Sequence, residues 1–157
     1  MKERVYIETS VVSYLTSRPS RDLVIAAHQE LTRQWWLERG SGFDLFISEL
    51  VLEEARRGDP VASATREDAV KNLAILSTSS KAVDLAEGIL AEGSFPREAA
   101  ADALHIAIAA VHGMDYLLTW NCKHLANATH RNRVENFVEG AGFACPIICT
   151  PEELMED

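Results

Sequence analysis

Four acidic or amide side chains stand where apolar segments of the chain end, or where a polar residue is unexpected. They are Glu8, Glu54, Asp102 and Asn121. They are far apart in sequence, so only the fold could bring them together. Carboxylate oxygens gathered in this way are the ligands that a hard divalent cation prefers. Metal-assisted phosphodiester chemistry is therefore the first hypothesis for this chain.

Glu8 and Asn121 each follow a predicted strand. Glu8 comes directly after Val5-Tyr6-Ile7, and Asn121 comes just after residues 116–119. In a parallel sheet, such positions face the crevice beyond the carboxyl ends of the strands, where ligands bind. Each also has an ordinary explanation, since an acid is favoured near a helix N-terminus and an asparagine can cap a short helix. Both explanations stay open, and the hydroxyl of Thr119 could orient a neighbouring carboxylate.

Glu54 is separated from its acidic neighbours by the helical periodicity of residues 49–58. At helical spacing, Glu54 falls on one stripe with the apolar side chains, namely Ile47, Leu50, Val51, Glu54, Ala55 and Gly58. Glu49 and Glu53 fall on another stripe, which is typical of a solvated face. Glu54 is therefore predicted to point inward, and a buried carboxylate requires a partner. A functional role is favoured over an ordinary buried ion pair.

Asp102 is the strongest candidate, because it interrupts the most apolar segment of the chain. Between residues 99 and 111 the only polar side chains are Asp102 and His105, one turn apart on one side. A helix that is apolar nearly all round is buried. A metal or a shared proton is the favoured explanation for the aspartate. His105 is interpreted as a core histidine with its hydrogen bonds satisfied, without a catalytic role.

The elements that would position these residues alternate between strands and helices. Short apolar strands are predicted at residues 4–8, 43–48, 73–76, 115–119 and 147–149. Helical patterns separate them, which predicts an α/β fold with a mainly parallel sheet covered by helices on both faces. Ser20 is expected to cap a long helix through Glu38, and Ser48 a helix from Glu49. Thr150-Pro151-Glu152-Glu153 is a capping-box signal for a further helix.

Composition places the chain among single-domain proteins. Its 157 residues, 47% of them hydrophobic, can form one compact domain over residues 1–157. The sequence contains no run of 18 apolar residues, so no membrane span is predicted, and the N-terminus lacks a signal-peptide pattern. Three cysteines without paired spacing indicate reduced thiols and a cytoplasmic protein. The net charge of −9 argues against a protein that coats nucleic acid through a basic surface.

The only local concentration of basic side chains follows Asn121. It consists of Lys123, His124, Arg131 and Arg133. Such a group is most often a solvated surface, and it gives only weak support to a rim that faces phosphate.

Four motifs in this order resemble the PIN-domain family, in particular the VapC-type ribonuclease toxins of toxin–antitoxin pairs. They are Ile7-Glu8-Thr9-Ser10, then Ile47-Ser48 with Glu54 to Gly58, then Ala101 to Ala107, then Leu117-Leu118-Thr119-Trp120-Asn121. Each motif alone is weak, but four in the right order are fairly specific. The resemblance spans essentially the whole chain, with the spacing of a single-domain member.

The resemblance implies a three-layer α/β/α fold with a mainly parallel sheet of about five strands, and a pocket that binds Mg²⁺ or Mn²⁺. It assigns metal binding to Glu8, Glu54 and Asp102, and the fourth catalytic position to Asn121. Thr9 or Ser10 matches the small hydroxyl residue that follows the first acid. The implied activity is hydrolysis of RNA phosphodiester bonds. The implied partners are a second copy of the chain and a small antitoxin protein.

Two departures from the family pattern leave room for other functions. The first acid is usually aspartate, and Glu8 is one methylene longer. The fourth position is also usually aspartate, and Asn121 removes one negative charge from the pocket. A PIN-fold protein-binding module with weakened catalysis is therefore one alternative. A phosphoacceptor signalling domain is another, although it requires a lysine at a later strand end, where this chain has Asn121.

Overall fold

One parallel sheet forms the centre of the protein in the computed structural model, which describes residues 1–155. Its strands are β1 (Arg4–Ile7), β2 (Asp44–Ser48), β3 (Ala74–Leu76), β4 (Tyr116–Leu118) and β5 (Ile147–Cys149). They lie in the order β3-β2-β1-β4-β5, and every neighbouring pair is parallel. The predicted α/β class is confirmed. All five predicted strands form, with bounds that shift by at most one residue at either end.

Helices connect the strands, as parallel pairing requires. Within the described residues they are α1 (Thr9–Thr16), α2 (Leu23–Gln34), α3 (Glu49–Ala55), α4 (Pro60–Val70), α5 (Ser80–Glu92), α6 (Ala100–Val111) and α7 (Ala128–Gly140). No helix among residues 1–155 is both long enough and apolar enough to cross a membrane. The three cysteines are free thiols.

The centre of the sheet determines where the candidate site lies. Val5, Tyr6 and Ile7 of β1 are completely buried. Ile7 pairs with Leu118 of β4, so the chain leaves both strands side by side, and the Glu8 amide donates to the Leu118 carbonyl at 3.0 Å. The strand order reverses between β1 and β4. In open parallel sheets, ligands bind at such a switch point.

Helices α3 and α6 carry two of the candidate residues toward this edge of the sheet, and each forms where its sequence predicts a helix. Ser48 caps α3, because its Oγ accepts from the Val51 amide at 3.1 Å. A single 3₁₀ turn, Arg97–Ala99, leads into α6. Residues 105–110 of α6 are all buried, as expected for a helix that is apolar nearly all round. The predicted inward faces of both helices therefore point toward the core.

The predicted long helix from Ser20 to Glu38 is wrong in its N-cap, and its last turn is a π-helix rather than an α-helix. Asp22 is the N-cap, and its Oδ1 accepts from the Val24 and Ile25 amides at 2.9 and 3.1 Å. A carboxylate also interacts favourably with the helix dipole, which a serine does not. After Gln34 the helix widens into a π turn, Trp35–Arg39. Trp35 is completely buried there, and its Nε1 donates to the Leu154 carbonyl at 3.1 Å.

The capping-box signal near the C-terminus forms without the helix that it predicted. The Glu153 amide donates to Thr150 Oγ1 at 3.2 Å, and the Thr150 amide donates to Glu153 Oε1 at 3.1 Å. Residues 151–154 nevertheless form only turns. Two reciprocal hydrogen bonds satisfy one turn but do not supply the packing that sustains a helix.

Candidate functional site

Glu8 is a buried carboxylate held by neutral groups. Its side chain is the N-cap of α1, with Oε2 accepting from the Ser10 amide at 3.1 Å. Oε1 accepts from the hydroxyls of Ser10 and Thr119, each at 2.5 Å. Glu8 is only 6% exposed. No arginine or lysine in the described part of the chain forms an ion pair with it.

Glu54 projects from α3 toward Glu8, as the helical periodicity predicts. Its Oε1 accepts from Thr9 Oγ1 at 2.6 Å and contacts His105 Nε2 at 2.7 Å. Glu49 and Glu53 are exposed. Burial would raise the pKa of Glu54, but the hydrogen bond and attraction of His105, together with the Thr9 hydrogen bond, lower it below the ordinary value. Glu54 is therefore an ionised carboxylate at neutral pH.

Three side chains offer ligand atoms that converge on one point. One atom each from Glu8, Glu54 and His105 lies within 4.8 Å of the others. Asp102 is not a member of this group, which is the one that residues 1–155 contain. It is close enough for the charge of Glu8 to act on it.

Asp102 is instead engaged by residues that follow β4. Its Oδ1 accepts from Asn121 Nδ2 at 3.0 Å, and its Oδ2 contacts His124 Nδ1 at 2.9 Å. Burial raises the pKa of Asp102, as does the charge of Glu8, and these effects outweigh the opposing attraction of His124 and the hydrogen bond of Asn121. The structure thus brings Asn121 into contact with Asp102, on the Glu8 side of the pocket.

Asn121 also has the ordinary role considered for it. Its Oδ1 accepts from the His124 amide at 3.1 Å, so the side chain holds the turn that follows. The backbone amide of Asn121 donates to Thr119 Oγ1 at 2.9 Å. Thr119 is thus linked to Asn121 on one side and to Glu8 on the other. The hydroxyl of Thr119 orients a neighbouring carboxylate, as the sequence suggested.

Three residues at this site lie outside the predicted set, namely Tyr6, His105 and His124. His105 is a satisfied core histidine as interpreted, yet one of its partners is Glu54. His124 belongs to the basic group after Asn121, but it contacts a carboxylate. The helical spacing of Asp102 and His105 could have indicated a polar face. Nothing in the sequence pairs Tyr6, 99 residues away, with His105.

The donor set fits a hard divalent cation. Glu8 and Glu54 supply converging carboxylate oxygens, and Glu54 Oε2 accepts no hydrogen bond from the described residues. Buried charges in proteins are normally paired or bind a metal. Glu8 has only neutral donors, so a cation is the group that would complete its environment. Of the predicted ligands, Glu8 and Glu54 are the two whose ligand atoms converge.

An aromatic stack lies beside the pocket. The rings of His28 and Trp120 are stacked with centroids 4.0 Å apart and 12° between their planes. Tyr14 lies nearly parallel to Trp120, with a centroid distance of 6.1 Å. The Trp120 amide donates to Ser10 Oγ at 2.8 Å, and its Nε1 donates to Thr32 Oγ1 at 2.7 Å. Trp120 is therefore two hydrogen bonds away from Glu8.

Comparison with protein-family models and with curated proteins finds no match. Solved structures do match. A crystal structure of Mycobacterium tuberculosis VapC20, described as a Sarcin-Ricin loop cleaving toxin, has a TM-score of 0.58 at 15% identity, over 89% of this chain and 96% of that one. A crystal structure of VapBC2 from Rickettsia felis, bound to a DNA fragment from its promoter, has a TM-score of 0.60 at 14% identity. The match covers 94% of this chain and 98% of that one. The chain therefore has the fold of these VapC structures, which is the PIN-like fold that its motifs resemble.

Proposed function

We propose that this protein is a divalent-metal-dependent endoribonuclease, and that it is the toxin of a toxin–antitoxin pair. The observation that carries the proposal is Glu8, a buried carboxylate with only neutral partners, beside the ionised Glu54. The pocket lies at the switch point of a VapC-like sheet. The motifs that carry these acids resemble those of the VapC-type ribonuclease toxins.

Glu8, Glu54 and Asp102 would hold Mg²⁺ or Mn²⁺. When bound, the ion supplies an activated water and neutralises charge on the scissile phosphate. The protein keeps the three carboxylates in place with neighbouring hydroxyl, imidazole and amide groups. These groups are Thr9, Ser10, Thr119, His105 and His124.

Asn121 contributes an amide where the family usually has a carboxylate. Its Nδ2 donates one hydrogen to Asp102, which leaves its second N–H for a phosphate oxygen or a water. Asn121 thus orients groups by hydrogen bonding and adds no charge. The products would carry 5′-phosphate and 3′-hydroxyl ends.

RNA cleavage in the presence of Mg²⁺ or Mn²⁺ tests this function, with Asp102→Asn as the inactive control. Cleavage should require the ion, and either ion should raise the melting temperature, because it binds only the folded state. At 100 times the dissociation constant the gain is about 2.7 kcal/mol. A melting curve unchanged at millimolar Mg²⁺ and Mn²⁺ counts against a metal site. Cleavage retained by Asp102→Asn assigns the activity to a contaminant or to other residues.

A protein-binding module with weakened catalysis is the second candidate. It is favoured by the position of Asp102, both of whose oxygens already contact Asn121 and His124. Metal binding without RNA cleavage would support this alternative. A phosphoacceptor domain has less support, because no lysine among residues 1–155 pairs with Glu8.

The proposed partners are a second copy of the chain and a small antitoxin. A pocket of carboxylates in a chain of net charge −9 would attract a basic segment. Arginine suits such a pocket best, since its guanidinium forms bidentate hydrogen bonds with carboxylates. The antitoxin would therefore inhibit the enzyme by covering the site.

A further inference from the structure

His105 is completely buried, and both of its ring nitrogens are engaged. Nε2 lies 2.7 Å from Glu54 Oε1, and Nδ1 lies 2.6 Å from the Tyr6 hydroxyl. The Tyr6 hydroxyl in turn lies 2.8 Å from Ser48 Oγ, which accepts from the Val51 amide. One unbroken chain of hydrogen bonds therefore joins the capped start of α3 to the carboxylate near its end, through the core.

The donors and acceptors of this chain have one consistent order. An ionised Glu54 can only accept, so His105 Nε2 carries a hydrogen. Nδ1 is then the ring nitrogen that accepts from the Tyr6 hydroxyl, 2.6 Å away. Burial raises the pKa of Tyr6 well above its ordinary value, which keeps the phenol protonated as a donor. Ser48 can then donate to the Tyr6 oxygen, so every polar group in the chain has a partner.

The two oxygens of Glu54 are thereby made different. Oε1 accepts from both Thr9 and His105, whereas Oε2 accepts no hydrogen bond from residues 1–155. A glutamate has three rotatable bonds, and a fixed Oε1 restricts where Oε2 can lie. Groups that orient a ligating carboxylate in this way typically change metal affinity by about 10- to 100-fold when they are removed.

We propose that Tyr6 and His105 are positioning residues that hold Glu54 so that its second oxygen faces the cation pocket. This inference rests on the proposed metal-dependent function. It differs from a direct role for His105 as a ligand. Direct binding would require Nε2 to lose the hydrogen that it donates to Glu54, and the order of the whole chain would have to reverse.

The test uses Tyr6→Phe, His105→Leu and His105→Gln, with His112→Gln as the matched control. His112 contacts the Ser77 carbonyl, far from the pocket. Glutamine keeps an N–H at about the reach of Nε2, so it should partly restore what leucine removes. Circular dichroism establishes that each variant is folded, and Mn²⁺ and Mg²⁺ affinities are measured by calorimetry. Nitrogen chemical shifts of His105 in the metal-free protein report its tautomer.

We expect Tyr6→Phe and His105→Leu to weaken Mg²⁺ and Mn²⁺ binding by similar factors of about 10 to 100. His105→Gln should fall between these variants and the wild type, and His112→Gln should be unchanged. The His105 tautomer should be hydrogenated at Nε2 in the wild type and should become mixed in Tyr6→Phe.

Three outcomes would overturn the inference. Unchanged affinity in folded Tyr6→Phe and His105→Leu would remove the positioning role while leaving the proposed function intact. Loss of Mn²⁺ binding alone would make His105 a ligand, since Mn²⁺ accepts imidazole more readily than Mg²⁺ does. A wild type that binds neither ion would reject the proposed function together with this inference.

Discussion

Glu53 and Glu54 are sequence neighbours with opposite environments. Glu53 is exposed, whereas Glu54 contacts Thr9 and His105 in the pocket. One residue along a helix rotates the side chain by about 100°, which is enough to move a carboxylate from the pocket to solvent. Chemistry that depends on the pocket should therefore distinguish the two glutamates sharply.

Glu54→Gln should reduce RNA cleavage by more than about 100-fold, because substitution of groups outside the metal shell already costs about 10- to 100-fold. Glu53→Gln and Glu49→Gln make the same chemical change on the exposed face of α3 and should keep most of the activity. Initial cleavage rates at saturating Mg²⁺ provide the measurement. Full activity in Glu54→Gln, with loss in Glu53→Gln, would contradict the position of the site.

Asp102 should give the metal-free protein a distinctive pH dependence. Its pKa in the folded state is raised above the ordinary value of 3.8. Between pH 3.8 and this raised pKa, the folded state therefore binds more protons than the unfolded state. Stability from this group is therefore lost as pH rises through that interval. Asp102→Asn abolishes this loss, and its melting temperature relative to wild type should increase from pH 3 to pH 7.

Thermal melting without metal provides the measurement, and Asp84→Asn, at an exposed position of α5, is the control. The contribution of Glu54 to stability changes with pH in the opposite direction. Its lowered pKa adds stability at neutral pH that is lost as pH falls. A melting difference for Asp102→Asn that stays constant or decreases with pH would contradict the assignment.

At the scale of elements, Ser20 and Asp22 are two candidate N-caps for α2, and substitutions can distinguish them. Asp22→Ala should lower the free energy of unfolding by about 1 kcal/mol, because two amides lose their acceptor. That corresponds to about 2–4 °C in the melting temperature of a domain of this size. Ser20→Ala should cost less, since its Oγ accepts only from the Asp22 amide. A larger loss in Ser20→Ala would restore the cap that the sequence suggested.

The strands could be predicted because short apolar runs between helices have few alternatives in an α/β fold. The inward direction of Glu54 could also be predicted, because it depends only on helical periodicity. The start of α2 could not, since Ser20 and Asp22 both suit an N-cap and the difference depends on local geometry. Within the π turn at Trp35–Arg39, Trp35 donates to the carbonyl of the distant Leu154, a contact that no local sequence pattern indicates.

The candidate site shows the same division. Its acids could be identified as polar residues out of place among apolar ones, and the resemblance supplied their common purpose. Their partners could not be identified, because each contact spans a large separation. Glu54 and His105 are 51 residues apart, and Asp102 and His124 are 22 apart. A histidine among apolar residues does not indicate which buried group it contacts.

At the scale of the whole molecule, the charge of −9 predicts how a partner would bind. Co-expression with the product of the neighbouring open reading frame should give a complex in which RNA cleavage is masked. Raising the salt concentration should weaken its assembly, because attraction between exposed charges is screened. Light scattering of the isolated chain should give the mass of a dimer. A monomer that the neighbouring product neither binds nor inhibits would reject the toxin role and leave a stand-alone ribonuclease.

The stack of Trp120 on His28 gives the pocket an optical signal of its own. Trp120 is only 7% exposed, so its emission should lie at shorter wavelength than that of a solvated tryptophan. The backbone amide of Trp120 is two hydrogen bonds from Glu8 through Ser10, and a paramagnetic ion held there would quench the indole. Mn²⁺ should therefore dim the fluorescence where diamagnetic Mg²⁺ does not, and Trp120→Phe should remove the difference despite Trp35 and Trp36. Occupancy of the pocket could then be followed in real time without any added dye.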